Sequence, residues 1–161
     1  MLIPRGIYLN TIFNITKNLN KSITVNEWVL SIRLLGKVGF IILKNRDGDL
    51  QIVVKDPKLL NDIKAITIES CISVTGVANE NKVARNGFEI IAEEINPYAI
   101  SEAIPIDTSE KIDSNLSTRL NYRYLDIRNL EKAATFKLIS KISFYVYEYF
   151  QEKGFILKSC I

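Results

Sequence analysis

The sequence predicts a mainly β fold, a small five-stranded barrel followed by a linker and one long C-terminal helix. From Ile23 to Ile95, short runs rich in apolar and β-branched residues alternate with turn signals. From Pro97 to Ser117 the chain is rich in proline and short polar residues and has no sustained apolar period, which is typical of a linker. From Leu130 to Lys153 apolar residues recur at helical spacing, which indicates a helix.

The β-rich region divides into five runs, each bounded by residues that favour turns or loops. They are Ile23 to Leu34, Val38 to Lys44, Asp49 to Val54, Ser70 to Asn79 and Gly87 to Ile95.

Two connections between predicted strands further limit the possible folds. Asp47-Gly48 tolerates the positive φ of a tight hairpin turn, and the segment lacks the further carboxylates of a calcium-binding loop. After Asp56-Pro57, the segment Lys58 to Lys64 has leucine and isoleucine at helical spacing, which predicts a short helix. Five strands with a helix between the third and fourth are the pattern of an OB-fold barrel.

Composition limits the function classes. The 161 residues, 47% of them hydrophobic, suffice for one domain and an appended element. The formal net charge is only +3, so nucleic-acid binding would depend on a local patch of charge. The sequence contains no histidine, which removes the commonest general base and the commonest zinc ligand. We therefore expect no catalytic residues, no metal site and no cofactor.

The cysteines and the apolar segments indicate the compartment. Cys71 and Cys160 are far apart in sequence, and we expect both to be reduced thiols. No segment approaches about 18 uninterrupted apolar residues, and the N-terminus lacks the pattern of a signal peptide. The sequence therefore predicts a cytoplasmic protein without a membrane segment.

Three residues of the predicted strands are candidates for reading RNA bases. Bases stack on aromatic residues of OB-fold strands, and Phe40 stands next to the small Gly39, although a core position explains Phe40 equally well. Gln51 lies in an apolar strand, where burial without a partner would cost about 1 to 3 kcal/mol, so it should face solvent or a ligand. Glu89 has the same two interpretations.

Cations surround the first two hairpins and are placed to meet phosphates. They are Arg33, Lys37, Lys44 and Arg46. An ordinary solvated surface has the same appearance, so the pattern leaves both interpretations open.

Read in order, these residues resemble a known family. The pattern consists of Trp28-Val29, Arg33, Leu35-Gly36, Phe40, Arg46-Asp47-Gly48, Gln51, Gly76-Val77 and Gly87-Phe88-Glu89-Ile90. It resembles the anticodon-binding domain of archaeal and eukaryotic aspartyl-tRNA synthetases. The segment from Thr118 to Arg128 resembles the hinge motif of that family, and the end of the last helix, Glu152 to Ile156, resembles motif 1 of class II synthetases.

The resemblance implies a domain plan. Residues 1–103 would be the OB-fold anticodon-binding domain, 104–129 the linker and hinge, and 130–161 a truncated motif 1 helix. Ile161 stands near the position of an essential motif 1 proline, and class II motifs 2 and 3 are absent from the sequence. We therefore expect a tRNA-binding relative that does not aminoacylate; a fragment or a degenerate product remains an alternative.

The resemblance also implies residue roles. Phe40 would stack on an anticodon base, Gln51 and Glu89 would hydrogen-bond base edges, and Arg33 would assist. Lys44 and Arg46 are further expected RNA contacts, and the expected partner is a tRNA of the Asp or Asn type.

Departures from the family pattern concern specificity and assembly. Leu30 stands where archaeal enzymes that discriminate between these tRNAs carry tryptophan, which implies altered or relaxed reading of the third anticodon base. The alternative role is that of an assembly module, in which the helix from Leu130 to Lys153 docks onto a synthetase or onto a second copy of the chain.

Overall fold

The protein forms two compact units, Met1–Ile104 and Pro105–Ile161, in a computed structural model that describes residues 15–45, 48–84, 86–106 and 114–156. The first unit contains the five predicted strands. They are β1 (Ser22–Leu35), β2 (Val38–Asn45), β3 (Gly48–Val54), β4 (Cys71–Glu80) and β5 (Phe88–Ala99).

These strands close into a barrel in the order β1-β2-β3-β5-β4. The pairing of β3 with β5 is parallel, with Ile52 opposite Ile90 and Val53 opposite Ile91, and the other pairs are antiparallel. The predicted OB-type barrel is therefore confirmed. Parallel pairing requires the chain to cross over between β3 and β5, and β4 lies within that crossover.

The predicted short helix is also confirmed. Helix α1 (Pro57–Asp62) continues into a 3₁₀ turn, Ile63–Ala65. The Asp56 carboxylate caps its N-terminus by accepting from the backbone N–H groups of Lys58 at 2.7 Å and Leu59 at 3.2 Å. Proline at the first helical position fits because its missing N–H would have no partner within the helix.

Alternation along the strands separates a core face from an outer face. Each strand sends β-branched or aliphatic side chains inward, and the 3₁₀ turn adds Ile63. The largest fully buried side chains are Ile15, Ile41, Leu43, Leu50, Ile52, Ile63, Ile72, Ile90, Val25, Val29, Val54 and Val74. Because these side chains fill the barrel, the intervening residues of each strand are left to form the outer surface.

The linker prediction was wrong at its start. Pro97 lies within β5, opposite Ile72, and the strand continues to Ala99. The pairing shifts by one residue between Ile72 and Cys71. A bulge of this kind tolerates a proline, which has no N–H to donate to the ladder.

Gly76 on β4 lies where the backbones of β4 and β5 approach closely. A Cβ atom at this position would overlap the carbonyl oxygen of Ile91 and lie 2.8 Å from its carbonyl carbon. The pairing register shifts here as well, between Thr75 and Gly76. Only glycine fits, because the obstacle is backbone, which cannot move aside as a side chain can.

The described part of the second unit, residues 105–106 and 114–156, contains three helices. They are α2 (Leu116–Asn121), α3 (Arg123–Asp126) and α4 (Leu130–Glu152). The predicted long C-terminal helix is confirmed as α4, with Asn129 capping its N-terminus and Gly154, at φ 82°, following its C-terminus. The sequence did not predict α2 and α3, because neither is long enough to show an apolar period.

A buried carboxylate holds α2 and α3 together. Asp126 is 5% exposed, and it accepts hydrogen bonds from Arg119 Nε at 2.9 Å and Arg123 Nη1 at 2.7 Å. Burial by itself raises the pKa of the Asp126 carboxyl. The hydrogen bond from Arg119 and the charges of Arg119 and Arg123 outweigh burial and hold the pKa below its ordinary value.

We expect Asp126→Asn to destabilise the second unit by about 2 kcal/mol at pH 7, since it removes the charge from a buried, hydrogen-bonded ion pair. Because the folded-state pKa is lowered, the stabilisation by Asp126 is present above pH ~4 and is lost as pH falls through the folded pKa. Urea unfolding followed by the helical circular dichroism signal should therefore show a difference between variant and parent that disappears in acid. Trp28, the single tryptophan, reports on the barrel and should show no change.

We expect Gly76→Ala to destabilise the barrel by about 3 kcal/mol, the cost of forcing an atom into a packed site. The matched control is Gly36→Ala. Gly36 has φ 59° and open space around its Cβ position, so alanine there should cost only about 1 to 2 kcal/mol of backbone strain. Urea unfolding followed by Trp28 fluorescence measures both. Equal losses in the two variants would contradict the packing account of Gly76.

Candidate nucleic-acid interface

The outer face of β1, β2, β3 and β5 carries two rows of side chains. Residues paired across neighbouring strands point to the same face, so the pairing register identifies the rows. The first row is Arg33, Phe40, Val53 and Ile91. The second is Ser31, Ile42 and Gln51, and the Gln51 side chain reaches Glu89 on β5.

These rows line an open depression of about 610 Å³. Its lining consists of Ser31, Arg33, Leu35, Val38, Phe40, Ile42, Gln51, Val53, Lys55, Asn81, Val83 and Glu89. Half of the lining residues are apolar, and Phe40 among them is half-buried, with amide and carboxylate side chains also in the lining. A volume of this size is typical of a small-ligand site.

The polar part of the depression is one hydrogen-bonded cluster. Gln51 Nε2 donates to Glu89 Oε2 at 2.9 Å, and Asn81 Nδ2 donates to the same oxygen at 2.7 Å. The second oxygen, Oε1, accepts no hydrogen bond from the described residues, so it is available to a donor on a ligand. Hydrogen bonds to a carboxylate are among the stronger ones in proteins, so the two amides fix the carboxylate plane.

The structure thus brings four of the sequence-predicted residues together: Phe40, Gln51, Glu89 and Arg33. It does not bring Lys44 with them, because Lys44 lies farther along β2, opposite Trp28 and Asp49. Arg46 lies outside the described residues.

Lys55, Asn81 and Val83 are among the lining residues that the sequence analysis missed. Lys55 is exposed just beyond the end of β3, and its outward direction follows from the alternation that includes Gln51 and Val53. Asn81 and Val83 belong to the loop between β4 and β5, whose path over the depression no local pattern reveals.

Two further findings concern the described part of the chain. No group of three or more cysteine, aspartate or glutamate side chains there could hold a metal ion. No helix there is long and apolar enough to cross a membrane.

Comparison with known proteins agrees with this geometry. Residues 23–98 match the model of a family described as OB-fold nucleic acid binding domain. The aspartate–tRNA(Asp/Asn) ligase of Methanosarcina barkeri is 36% identical over 141 residues, which are 84% of this chain and 32% of the ligase. The aspartate–tRNA(Asp) ligase of Thermococcus kodakarensis is 36% identical over 148 residues, 88% of this chain and 34% of the ligase.

Solved structures show the same fold. The aspartyl-tRNA synthetase of Entamoeba histolytica superimposes with a TM-score of 0.82 at 18% identity, over 98% of this chain and 40% of the synthetase. The asparaginyl-tRNA synthetase of Pyrococcus horikoshii superimposes with a TM-score of 0.79 at 19% identity, over 98% of this chain and 37% of that enzyme.

The chain spans about a third of the length of the curated relatives it matches, 32% for the Methanosarcina ligase. The match to these ligases extends over most of the 161 residues, and the barrel within it has the strand order, the inter-strand helix and the outer face described above. Residues 23–98 therefore form an OB-fold domain that matches a nucleic-acid-binding family, and the chain matches the N-terminal region of aspartyl-tRNA synthetases.

Proposed function

We propose that this chain binds tRNA through the depression on the barrel, and that Phe40, Gln51 and Glu89 recognise an anticodon base. The observation that carries the proposal is that an aromatic ring and a hydrogen-bonded amide–carboxylate cluster share one open depression. The family match and the names of the relatives, which are tRNA ligases, support the choice of RNA as the ligand.

The Phe40 ring provides the stacking surface. It is half-buried on the outer face of β2, with Arg33 opposite it on β1 and Val53 opposite it on β3. A base stacked on an aromatic side chain contributes about 1 to 3 kcal/mol whatever its identity. Stacking therefore supplies affinity, and selectivity must come from the polar cluster.

The cluster selects a base that carries a ring N–H. An ionised carboxylate has no proton to donate, so Glu89 Oε1 in that form acts only as a hydrogen-bond acceptor. Uracil and guanine present a ring N–H next to a carbonyl, which suits such an acceptor. The second N–H of the Gln51 amide is a suitable donor to that carbonyl. Cytosine and adenine present a lone pair at the ring nitrogen, which the carboxylate repels.

Cations at the edge of the depression complete the proposed site. Arg33 and Lys55 are both exposed and both line it, so they are placed to meet phosphates on either side of a stacked base. Arg33 can also stack on a base through its planar guanidinium. Lys44, which lies outside the depression, and Arg46 remain predicted contacts for RNA.

The proposed RNA partners are tRNAs of both the Asp and the Asn type. Several similar proteins are named for both tRNAs, including that of Methanococcus vannielii, which is 40% identical over 134 residues. Leu30, where the family resemblance implies a tryptophan in discriminating enzymes, lies at the irregularity in the β1–β2 pairing between Val29 and Ser31. We assign no aminoacyl transfer to these 161 residues, because the matched domain is a nucleic-acid-binding one.

We expect Phe40→Ala to weaken binding of tRNA-Asp and tRNA-Asn at least about tenfold, because the stacking surface is lost. The matched control is Tyr98→Ala, which removes an aromatic side chain that is 67% exposed on β5 and does not line the depression. Filter binding at one fixed moderate salt concentration gives the affinities. The proposal fails if the parent does not prefer these tRNAs over unrelated ones and Phe40→Ala changes nothing.

A second candidate role is assembly through α4, favoured by the exposure of apolar side chains around most of this helix. The exposed large apolar residues of α4 are Phe136, Leu138, Ile139, Ile142, Phe144, Tyr145, Val146, Tyr147, Tyr149 and Phe150. A helix with an apolar surface this wide is normally covered, so a second copy of the chain is a suitable partner for it.

Light scattering across a range of concentrations tests this second role. We expect self-association that Ile142→Glu weakens, because the substitution places a charge within the apolar surface. Lys141→Glu, at the neighbouring exposed position, introduces the same residue at a polar site and should change little. A monomer at every concentration would contradict the role.

A further inference from the structure

Asn81 makes two side-chain hydrogen bonds in different directions. Its Nδ2 donates to Glu89 Oε2 at 2.7 Å, and its Oδ1 accepts from the backbone N–H of Val83 at 3.0 Å. One side chain therefore connects the carboxylate of the proposed base-reading cluster to the loop between β4 and β5.

That loop is folded back on itself. Asn81 N–H donates to the Gly87 carbonyl at 2.9 Å, and Ala84 N–H donates to the Asn81 carbonyl at 3.0 Å. Ala84 is buried, at 7% exposure, and Val83 next to it is 94% exposed and lines the depression. The loop thus places the apolar side chain of Val83 at the rim of the depression. The Asn81 side chain fixes Val83 by accepting a hydrogen bond from its backbone N–H.

We propose that Asn81 is a positioning residue that holds both the Glu89 carboxylate and Val83, at the rim of the depression, in fixed positions. Base selectivity then depends on Asn81 as well as on Glu89. This rests on the proposed function. The physical reason is that Glu89 needs a fixed orientation to present Oε1 to a base, and a long side chain held from one side only by Gln51 retains rotational freedom.

The two bonds can be separated by substitution. Asn81→Asp keeps an acceptor for the Val83 N–H, but it has no amide donor for Glu89 and places a second negative charge beside that carboxylate. Asn81→Ala removes both bonds. A matched control is Asn96→Ala, because Asn96 also donates to a glutamate of β5, Glu94 at 3.0 Å, and lies outside the depression.

The experiment measures binding of the full chain to anticodon stem-loop RNAs that differ in a single anticodon base, with each of the three positions varied in turn. The readout is the affinity for uridine divided by that for cytidine, with Val83 amide hydrogen exchange measured in parallel. For Asn81→Ala we expect this ratio to fall about tenfold, the factor that 1.4 kcal/mol represents, and Val83 protection to be lost. For Asn81→Asp we expect the ratio to fall while protection remains.

A double substitution identifies the route of the effect. If Asn81 acts through Glu89, Asn81→Ala should reduce the ratio in the parent and have little further effect in Glu89→Gln. Thermal unfolding of each variant separates these effects from loss of fold.

The possible outcomes separate a failure of the positioning role of Asn81 from a failure of the proposed function. A parent protein that binds all four bases equally at every anticodon position contradicts the proposed function. A parent that discriminates, together with an Asn81→Ala variant that discriminates as well, overturns the positioning role and leaves the proposed function intact. A uniform loss of affinity for every RNA with an unchanged ratio also overturns the positioning role.

Discussion

The parallel pairing of β3 with β5 is the contact on which the rest of the site depends. It closes the barrel and places Gln51 of β3 within 2.9 Å of Glu89 of β5, although 37 residues separate the two in sequence. The crossover that permits this pairing contains the capped helix α1 and the strand β4. Without closure, the amide and the carboxylate would lie on separate edges of an open sheet.

Close backbone packing maintains that closure on the other side of β5. Gly76 allows β4 to approach the Ile91 carbonyl, and Ile91 pairs with Val53 of β3. The same stretch of β5 therefore contacts β4 through a position that admits only glycine and β3 through the parallel ladder. Since Glu89 lies two residues before Ile91, packing at Gly76 and the position of the carboxylate are linked through one short segment.

The fold was largely predictable because its signals are local. Alternation and turn residues gave the five strands, and Asp56-Pro57 gave the start of α1. The errors have physical causes. Pro97 interrupts a strand pattern in sequence yet is accommodated by a bulge that depends on the partner strand, and α2 and α3 depend on the ion pairs of Asp126 rather than on an apolar stripe.

The site was predictable only in part. The cost of burying an unpaired amide indicated that Gln51 faces outward. The sequence left Phe40 open between a core position and a stacking role, and the proposed roles came from the family resemblance. Asn81 could not have been found from the sequence, because its contribution depends on a loop that returns across β5. Side chains that act through a partner distant in sequence leave no periodic signal.

Chemical-shift mapping of the ¹⁵N-labelled chain during titration with an anticodon stem-loop RNA tests the central claim most directly. The account predicts that the side-chain amides of Gln51 and Asn81 and the backbone amide of Phe40 shift and saturate together. Thr24 and Thr75, which share a hydrogen bond on the outer surface of β1 and β4, should not respond. Shifts centred on Thr24 and Thr75 would contradict it. So would the absence of any shift at an RNA concentration that saturates the chain in a separate binding assay.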